Sequence, residues 1–443
     1  MNNKIFKGKK CFLIFGLNYG DEGKGSIIDA LGHKFGPSTA IRFNGAHQAA
    51  HNVINKNIHH CFSHFGSNSL SNLKSNTVYS EDMVFDPLTM MEEAKVLNTK
   101  TRNIWERIDI HENCELILPF HVLFGRKREY DRVKKFSTCG AGVGEYVRSK
   151  QKNIPTLKVI DLFKPDKYLL DKINFILNEL LDEFPSSIRE DKIISTFINK
   201  KYIKFLHSEY KKFKVYIESH VHNLPFEKLD EISNDVIIFE SSQGNLLDPR
   251  YGVLPYVTKR HVAINPIDFK DIENIQMIGI SRIFTTRHGN GPLITEDESL
   301  RFFDKHNVNN GWQGKFRIGH LDLVALKYSL NISNGLDGIA LTHIDLLNKM
   351  DKIKVCTNYV FDELKNIDKL FFEYIQSNEI YDLSEENFLT KYLPFVKPSY
   401  ETFQGRGWES KFFRFIREET EVPIKILSFG PKHIDKTFFN SIC

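Results

Sequence analysis

The chain has 443 residues and a formal net charge of +4, with 41% hydrophobic and 26% charged residues. This composition is typical of a globular protein and excludes a disordered or strongly nucleic-acid-binding chain. No apolar run approaches the roughly 18 residues that cross a bilayer, and residues 1–5 lack the pattern of a signal peptide. We therefore expect a cytoplasmic protein with no membrane or nucleic-acid partner.

Six cysteines are scattered along the chain, and none forms a C-x-x-C pair. Structural zinc and a disulfide framework are therefore not expected. The nearest resemblance to a metal-binding cluster is given by His59, His60, Cys61 and His64. Because the neighbours of this cluster have the pattern of a strand, packing and surface roles are favoured there over a metal site.

The first predicted elements are a strand, a loop and a helix. Lys10–Phe15 is an apolar run that ends at a glycine, and Ile27, Ile28 and Leu31 are spaced as on one face of a helix. Residues 16–25 are predicted to form the loop between them. A loop that leads from a strand into a helix is where α/β proteins bind nucleotide phosphates.

Further buried strands are predicted along the chain, each followed by a polar or glycine-rich turn. They are Val236–Phe239, Gln276–Ile280, Gly338–Leu341 and Ile424–Leu427. Residues 164–235 carry Lys, Glu, Leu and Ile at helical spacing, which predicts a helical subregion. The predicted fold class is α/β, with a large, mostly parallel central sheet and helices on both faces. We expect residues 1–443 to form a single catalytic domain.

The first chemical motif is Gly20-Asp21-Glu22-Gly23-Lys24-Gly25. Glycines allow backbone N–H groups to close around a phosphate, and a lysine adds a positive charge. The spacing is not that of a Walker A loop, and a surface turn would also accept these residue types. Asp21, however, would repel a phosphate unless it bound Mg²⁺ or took up a proton during a reaction. We therefore predict a phosphate site that uses Gly23, Lys24 and Gly25.

Several segments resemble, in the correct order, the signatures of the adenylosuccinate synthetase family. After the phosphate loop come 42–51 (RFNGAHQAAH), 239–248 (FESSQGNLLD), 251–258 (YGVLPYVT), 286–292 (TRHGNGP), 319–325 (GHLDLVA), 341–345 (LTHID) and 422–431 (VPIKILSFGP). Individually, several of these matches are weak. Because they keep their order between residues 16 and 437, the chain is identified as a divergent member of this family.

The resemblance implies a reaction. The family joins the amino group of L-aspartate to C6 of IMP, and GTP turns the oxygen at C6 into a leaving group. Asp21 matches the family's catalytic base, which removes the N1 proton of the purine. His51 matches its catalytic acid, which stabilises charge on O6 and on the transferring phosphoryl group. Asp21 and the backbone carbonyl of Ala50 also match ligands of Mg²⁺, a hard ion that prefers oxygen.

The resemblance also implies that GTP is the co-substrate and that a second group of residues binds it. Asp345 can accept hydrogen bonds from the N1–H and N2–H₂ edge of guanine. The family writes this segment T-K-x-D, and here His343 replaces the lysine, which changes one packing face of the base. Ser428 and Gly430 match the C-terminal loop that closes over the base.

The residues expected to bind the purine nucleoside monophosphate match the family pattern at some positions and depart from it at others. Gln243 matches a residue that reads position six of the purine, and Thr258 is expected near the phosphate. Gln48, which replaces an asparagine of the family, is expected near the phosphate as well. Thr138 and Cys139 begin a recognisable phosphate loop that extends to residue 144.

The family follows this phosphate loop with Pro-Ala-Tyr and an arginine that reaches into the partner subunit of a homodimer. Residues 145–148 instead read Glu-Tyr-Val-Arg, with no arginine at the expected place. Arg148, Lys150 and Lys152 are the candidates to substitute for it. A homodimer is implied by the resemblance, but the monophosphate is expected to be held differently.

The amino-acid site departs further. Family members carry T-T-G-R-x-R-R, whose arginines hold the two carboxylates of aspartate, whereas residues 312–318 read Trp-Gln-Gly-Lys-Phe-Arg-Ile. Lys315 and Arg317 are the implied counterparts, although a lysine cannot reproduce a bidentate guanidinium contact. His288 stands where the family has an apolar residue, and we assign it to this site as well. Sequence drift and an altered specificity for nucleotide or amine are both open explanations.

Three hypotheses about function follow. The first is an adenylosuccinate synthetase, and the second is a ligase of the same mechanism that takes GMP or dGMP to 2-aminoadenylosuccinate, or uses another amine. Phage-type versions of the second activity usually lack the base carboxylate, whereas Asp21 is present here. The third is a GTP-binding regulator without turnover, against which the presence of both Asp21 and His51 weighs.

Overall fold

A computed structural model describes residues 4–133, 135–300, 312–360, 393 and 396–439. Its strands are β1 Lys10–Gly16, β2 Ser38–Arg42, β3 His51–Asn55, β4 Ile58–Phe62, β5 Asn76–Tyr79, β6 Val84–Phe85, β7 Ile108–His111, β8 Glu115–Leu116, β9 Leu157–Lys158, β10 Val221–His222, β11 Val236–Gly244, β12 Gln276–Arg282, β13 Phe284–His288, β14 Phe316–Asp322, β15 Gly338–Thr342, β16 Lys352–Val360, β17 Lys397–Gln404, β18 Ile424–Ser428 and β19 Lys436–Phe438. Its α-helices are α1 Lys24–Phe35, α2 Pro87–Asn98, α3 Pro119–Asp131, α4 Val143–Gln151, α5 Asp166–Asp182, α6 Ile194–Phe197, α7 Lys200–Ile217, α8 Leu323–Ile332 and α9 Trp408–Thr420.

The largest sheet has ten strands in the order β10-β7-β5-β2-β11-β1-β12-β15-β18-β19. Neighbouring strands are parallel except for the antiparallel pair β18–β19 at one edge. This confirms the predicted α/β class with a large, mostly parallel sheet. The strands predicted from apolar runs are β1, β11, β12, β15 and β18, which are adjacent in this sheet.

Both faces of the sheet are covered, as the side chains of β1 illustrate. Phe12 and Ile14 pack on one face in a cluster with Ile27, Ile28 and Leu31 of α1. Leu13 and Phe15 point to the other face and belong to a cluster that includes residues of α8 and α9. A strand buried on both faces needs a continuous apolar run rather than an alternating one. That is why this strand could be predicted from the sequence.

The predicted helical subregion contains α5, α6 and α7, and also the short strand β10, which the prediction did not include. The apolar faces of α5 and α7 are buried through residues such as Ile173, Leu180, Leu206 and Phe213. These residues share one core cluster with side chains of α2 and α3. None of the helices in the described part of the chain is long and apolar enough to span a bilayer.

The segment with His59, His60, Cys61 and His64 forms strand β4 of a hairpin and the turn that follows it. His64 is buried, and its Nε2 lies 3.0 Å from the hydroxyl of Thr89. His60 is buried too, with its ring against Phe62. These contacts agree with the packing role that the sequence favours for this segment.

Candidate active site

A cavity of about 1110 Å³ lies at the carboxyl ends of the central strands. Parallel sheets bind ligands at this edge, because the loops that leave the strands converge there. Most of the residues predicted from the sequence line the cavity. They are Asp21, Gly23, Lys24, Gly25, Gln48, Ala50, His51, Thr138, Cys139, Gln243, Thr258, His288, Asp345, Ser428 and Gly430.

The phosphate loop between β1 and α1 is held by its own carboxylate, Glu22. One oxygen of Glu22 accepts the backbone N–H groups of Asn18, at 3.0 Å, and Gly20, at 2.9 Å. The other oxygen accepts Lys24 Nζ at 3.0 Å, and both side chains are about 2% exposed. A Cβ at position 16 would lie 2.3 Å from Glu22, so Gly16 makes room for it. Glu22 therefore shapes the loop, and Lys24 is oriented before any ligand arrives.

The start of α1 packs directly against β3, which carries His51. A Cβ on Gly25 would lie 3.0 Å from both the carbonyl oxygen of Asn52 and Cβ of His51. Glycine at this position thus sets the distance between the phosphate loop and the histidine. Asp21 has a positive φ of 58°, and its carbonyl oxygen accepts a hydrogen bond of 2.6 Å from Arg282. A left-handed conformation at a non-glycine residue is uncommon and typical of functional loops.

His51 is buried and fixed by a carboxylate behind it. Its Nδ1 lies 2.6 Å from Glu240 Oε1, and the remaining contacts of Glu240 are the N–H of Ser67, at 3.0 Å, and its hydroxyl, at 2.5 Å. An ionised carboxylate only accepts, so Nδ1 of His51 carries the hydrogen. His51 Nε2 has no hydrogen-bond partner among the described residues. The ring is therefore oriented with one nitrogen available for chemistry.

The protonation states of His51 and Glu240 follow from their burial and from the hydrogen bond between them. Burial opposes the negative charge of Glu240, but the hydrogen bond with His51 and the charge of Arg42 outweigh it and lower the pKa of Glu240 to about 2. Burial lowers the pKa of His51, although its hydrogen bond with Glu240 acts in the opposite direction. At neutral pH the pair is therefore a carboxylate and a neutral imidazole. A negative charge placed near Nε2 would raise the pKa of His51 again.

Three residues predicted for the purine monophosphate contact one another. Gln48 Nε2 donates to Thr258 Oγ1 at 2.7 Å, and Cys139 Sγ donates to Gln48 Oε1 at 3.3 Å. Gln243 and Thr138 line the same cavity. The structure thus brings together residues that lie as far apart in sequence as 48 and 258.

The guanine-side residues also meet at the cavity wall. Asp345 follows β15 in a short 3₁₀ helix, and burial raises the pKa of its carboxyl group. His343 precedes that helix with φ of 65°, and its ring packs edge-on against Phe284 at 5.4 Å. Ser428 Oγ donates to the carbonyl oxygen of Gly430 at 3.1 Å, which shapes the C-terminal loop.

Asp21 and Ala50, the two residues predicted to hold Mg²⁺, both line the cavity. A carboxylate together with a backbone carbonyl is a donor set that fits a hard cation. The described contact of the Asp21 carboxylate is His288, whose Nε2 lies 3.5 Å from Asp21 Oδ2. His288 is therefore beside the predicted base.

The other two residues predicted for the amino-acid site do not line the cavity. Lys315 is exposed, and its Nζ lies 3.0 Å from Glu298 Oε1. Arg317 lies 2.8 Å from Glu296 Oε2 and also donates to the carbonyl oxygen of Gly291. The backbones of Lys315 and Arg317 lie beside His288, because β14 pairs with β13, but their side chains are held by glutamates outside the cavity lining. Their binding of an amino acid stays a prediction.

The three candidates for the missing arginine lie on or just after α4. Arg148 and Lys152 both pair with Glu183, at 3.2 Å and 2.5 Å, and Lys150 pairs with Glu115 at 2.8 Å. Arg148 also lines the cavity.

Glu240 and Arg287 are among the charged residues of the site that were not assigned from the sequence. Glu240 ends an apolar stretch of β11, and Arg287 lies in β13 and lines the cavity with 2% of its surface exposed. Arg287 donates to the carbonyl oxygens of Pro292, at 2.9 Å, and Tyr256, at 2.7 Å. Buried charges are rare unless they have a role, so a charge that follows the apolar run of β11 is the signal that could have found Glu240. Arg287 lies in the polar strand Phe-Thr-Thr-Arg-His, where no such signal exists.

Comparison with known proteins decides the family. A family model described as adenylosuccinate synthetase matches residues 13–437. The chain belongs to this family. It is therefore a carbon–nitrogen ligase of purine biosynthesis, and the resemblance found in the sequence is confirmed.

Similar sequences of the family cover almost the whole chain. The adenylosuccinate synthetase of Wigglesworthia glossinidia brevipalpis is 30% identical and covers 98% of this chain and 99% of its own length. The adenylosuccinate synthetase of Chlorobium chlorochromatii is 28% identical and covers 99% of this chain and 100% of its own length. The chain thus differs from these relatives at most positions but aligns with them over almost their whole length.

Solved structures show the same fold. The fully ligated adenylosuccinate synthetase of Plasmodium falciparum has a TM-score of 0.79 at 20% identity, with 97% of this chain and 100% of that chain covered. The succinoaminodeoxyadenylate synthetase of cyanophage S-2L, bound to dGMP and dATP, has a TM-score of 0.58 at 14% identity, with 97% and 95% covered. The cellular enzyme is thus nearer in shape than the phage enzyme.

Proposed function

We propose that this chain joins the amino group of L-aspartate to C6 of IMP through a 6-phosphoryl intermediate and releases adenylosuccinate, GDP and phosphate. The observation that carries the proposal is the contact between His51 Nδ1 and Glu240, at 2.6 Å, beside Asp21 and Lys24 in one cavity. A purely structural histidine would not need a buried carboxylate on one nitrogen and a free second nitrogen at a cavity wall.

Asp21 acts as the base. Its carboxylate takes the N1 proton of the purine, which makes O6 the nucleophile toward the γ-phosphate of GTP. Its place at the end of the phosphate loop, beside Lys24, supports this role, because base and phosphoryl donor must meet there. His288, at 3.5 Å from Asp21 Oδ2, can hold the carboxylate in position.

His51 acts on the oxygen at C6. Its pKa is lowered by burial, so the ring is neutral before substrates bind. Negative charge on the transferring phosphoryl group favours protonation of Nε2, while Glu240 stabilises the positive ring that results. The protonated ring then supports the departure of phosphate when the amine attacks C6.

Mg²⁺ would be held by the Asp21 carboxylate and the Ala50 carbonyl together with phosphate oxygens of GTP. When bound, it neutralises charge on the phosphates. Lys24, Gly23 and Gly25 contribute charge and backbone N–H groups to the same phosphates. Asp345 accepts hydrogen bonds from the guanine edge, and Ser428 and Gly430 cover the base.

Gln243, Gln48, Thr258, Thr138 and Cys139 hold the purine monophosphate. The hydrogen bonds from Gln48 to Thr258 and from Cys139 to Gln48 support a single polar wall for that ligand. Lys315, Arg317 and His288 remain the proposed residues for the carboxylates of the amino acid. Displacement of Glu296 and Glu298 by those carboxylates would be required at the first two.

We further infer that residues 1–443 act as one catalytic domain in a cytoplasmic homodimer. The core cluster that joins α5 and α7 to α2 and α3 supports one domain. The loss of the family's partner-directed arginine, with Arg148 at the cavity, suits a homodimer in which each chain holds its own phosphate.

The proposal is tested by incubating purified protein with Mg-GTP, a panel of purine monophosphates and a panel of amino acids, followed by mass spectrometry of the products. We expect adenylosuccinate from IMP and L-aspartate. Tight GTP binding with no adduct in any combination would instead support a regulator without turnover.

The same assay decides a second candidate, in which GMP or dGMP is converted to a 2-aminoadenylosuccinate or another amine is used. Its support is the fold shared with the phage synthetase and the replacement of arginines around Lys315. The higher TM-score of the Plasmodium enzyme and the presence of Asp21 favour IMP.

A further inference from the structure

A cluster of one carboxylate and two imidazoles lies where α1 meets the C-terminal loop, away from the reacting groups. Asp29 and His33 are one turn apart on α1, and His433 begins the 3₁₀ turn His433–Asp435. His33 Nε2 lies 3.6 Å from Asp29 Oδ1, and His433 Nδ1 lies 3.9 Å from Asp29 Oδ2. The two imidazole rings stack with centroids 3.7 Å apart. One ligand atom from each residue lies within 4.8 Å of the others.

The polar atoms that face one another in this cluster lack hydrogen-bond partners. Asp29 is 1% exposed, and its Oδ1, His33 Nε2 and His433 Nδ1 are buried and unpaired among the described residues. Buried polar atoms are nearly always satisfied, because an unpaired one costs about 1–3 kcal/mol. Three such atoms converging on one point indicate a ligand that supplies their missing partner.

Three charged residues, Lys56, Asp435 and Lys436, lie close enough to act on the cluster. Lys436 Nζ donates to the carbonyl oxygens of Gly430 and Lys432. The charge of Lys436 acts to lower the pKa of Asp29, and the charge of Lys56 acts to lower the pKa of His33. Burial raises the pKa of Asp29 to about 7, although Lys436 opposes the shift. Burial lowers the pKa of His33 to about 4 and also lowers that of His433.

We propose that Asp29, His33 and His433 form a Zn²⁺ site that ties α1 to the C-terminal loop. Two imidazole nitrogens and one carboxylate oxygen are a typical zinc ligand set, whereas Mg²⁺ and Ca²⁺ prefer oxygen alone. Tetrahedral bonds of about 2.1 Å put ligand atoms roughly 3.4 Å apart, so the ligand atoms, which lie within 4.8 Å of one another, move together on binding. An imidazole nitrogen binds a metal in the plane of its ring, so the two stacked rings also turn apart when Zn²⁺ binds.

The site would connect two segments of the GTP pocket. α1 begins in the phosphate loop, and the C-terminal loop lines the cavity with Ser428, Gly430 and Pro431. His433 follows Pro431 by two residues. A metal bonded to both segments would hold the C-terminal loop against α1. The cluster lies outside the residues assigned to catalysis, so the inference stands independently of the proposed reaction.

The test is a Zn²⁺ titration of metal-free, full-length protein in excess Mg²⁺, which occupies the oxygen ligands of the active site. We expect one tight Zn²⁺ site per chain. His33→Ala and His433→Ala should each weaken binding at least about tenfold, because removing even a residue that only supports a zinc ligand typically costs 10–100-fold. His220→Ala is the matched control, since His220 lies 3.7 Å from Asp109 without a second histidine in the pair. It should leave the affinity unchanged.

Hydrogen exchange identifies where the metal binds. Zn²⁺ should slow exchange of amides in 29–35 and 429–436 of the unmodified protein and of the His220→Ala variant, but not of the other two variants. Melting temperatures without metal check that the variants fold. Absence of Zn²⁺ binding in the unmodified protein would overturn the proposal, and so would equal affinity in all variants. Binding that survives both substitutions and is lost in Cys61→Ser would place zinc elsewhere and overturn it too.

Discussion

The phosphate and purine wall of the active-site cavity and the neighbouring β13–β14 region, here called the second wall, differ in how closely their residues follow the family pattern. On the phosphate and purine wall, Lys24, Gln48 and Thr258 contact neighbours that position them toward the cavity. On the β13–β14 side, Lys315 and Arg317 pair with glutamates instead. The first wall depends on loops at strand ends, where glycines and backbone atoms fix the geometry. The second depends on long side chains, whose direction changes with the charges around them.

The largest effect is expected at Asp21. Asp21→Asn should reduce adduct formation below detection, because an amide cannot take the N1 proton and is a poorer Mg²⁺ ligand. Product formation is measured by mass spectrometry and the fold by circular dichroism. Asp182→Asn, at an exposed carboxylate, serves as the control and should behave as the unmodified protein. Near-normal turnover by Asp21→Asn would rule out the proposed mechanism.

His51→Asn should follow with a loss of at least roughly a hundredfold in kcat, the lower end of what a positioned acid contributes. The KM values for IMP and GTP should change much less, since the ring acts on the transition state. Steady-state kinetics measure both parameters. A variant with unchanged kcat would show that the free Nε2 nitrogen has no catalytic role.

Glu240→Gln should cost roughly tenfold or more in kcat, but less than the loss of His51 itself. The carboxylate raises the pKa of His51, so its removal lowers that pKa further. Less of the ring is then protonated at a given pH, and the fall in activity with rising pH should begin at a lower pH. A pH profile identical to that of the unmodified protein would mean that Glu240 only supports the fold.

A smaller and more selective effect is expected at Asp345. Asp345→Asn replaces an acceptor by a group that can donate, which should weaken GTP and improve XTP, whose base has a carbonyl at that edge. The ratio of kcat/KM for the two nucleotides is the measurement. If ATP supports the unmodified reaction as well as GTP does, the role given to Asp345 is wrong.

The smallest effects test the second wall. Lys315→Arg should lower the KM for L-aspartate by less than about fivefold, because exposed ion pairs contribute about 0–1 kcal/mol. Arg317→Ala should raise the same KM, since it removes the remaining guanidinium. If Arg317→Ala leaves KM and kcat for the amine unchanged, β14 is not part of the amino-acid site. The directly opposite Arg287, which does line the cavity, would then be the next residue to test.

Much of the fold could be predicted because its central strands are buried on both faces. The run at Lys10–Phe15 and the glycines that follow it are sufficient to predict a strand, a loop and a helix. Short strands such as β6 and β10 could not be predicted, because two residues carry no periodicity. Their pairing depends on tertiary contacts.

Some residues of the candidate site could likewise be predicted from the sequence, and others could not. Asp21, His51 and Asp345 lie in motifs with a backbone requirement, so their positions at the cavity could be expected from the sequence. A charge at the end of an apolar run could draw attention to Glu240, but its role could not be predicted, because it depends on a hydrogen bond between residues 51 and 240. The ion pairs of Lys315 and Arg317 could not be predicted either, because their partners Glu298 and Glu296 belong to no motif.

Glu22 has a consequence for how nucleotide affinity is set. A loop that must become ordered around a phosphate loses conformational entropy when the ligand binds, and this loss weakens binding. Here one buried carboxylate already ties the loop backbone to the lysine, with contacts of 2.9 to 3.0 Å. Most of that ordering takes place when the protein folds, so nucleotide binding requires little further change in the loop.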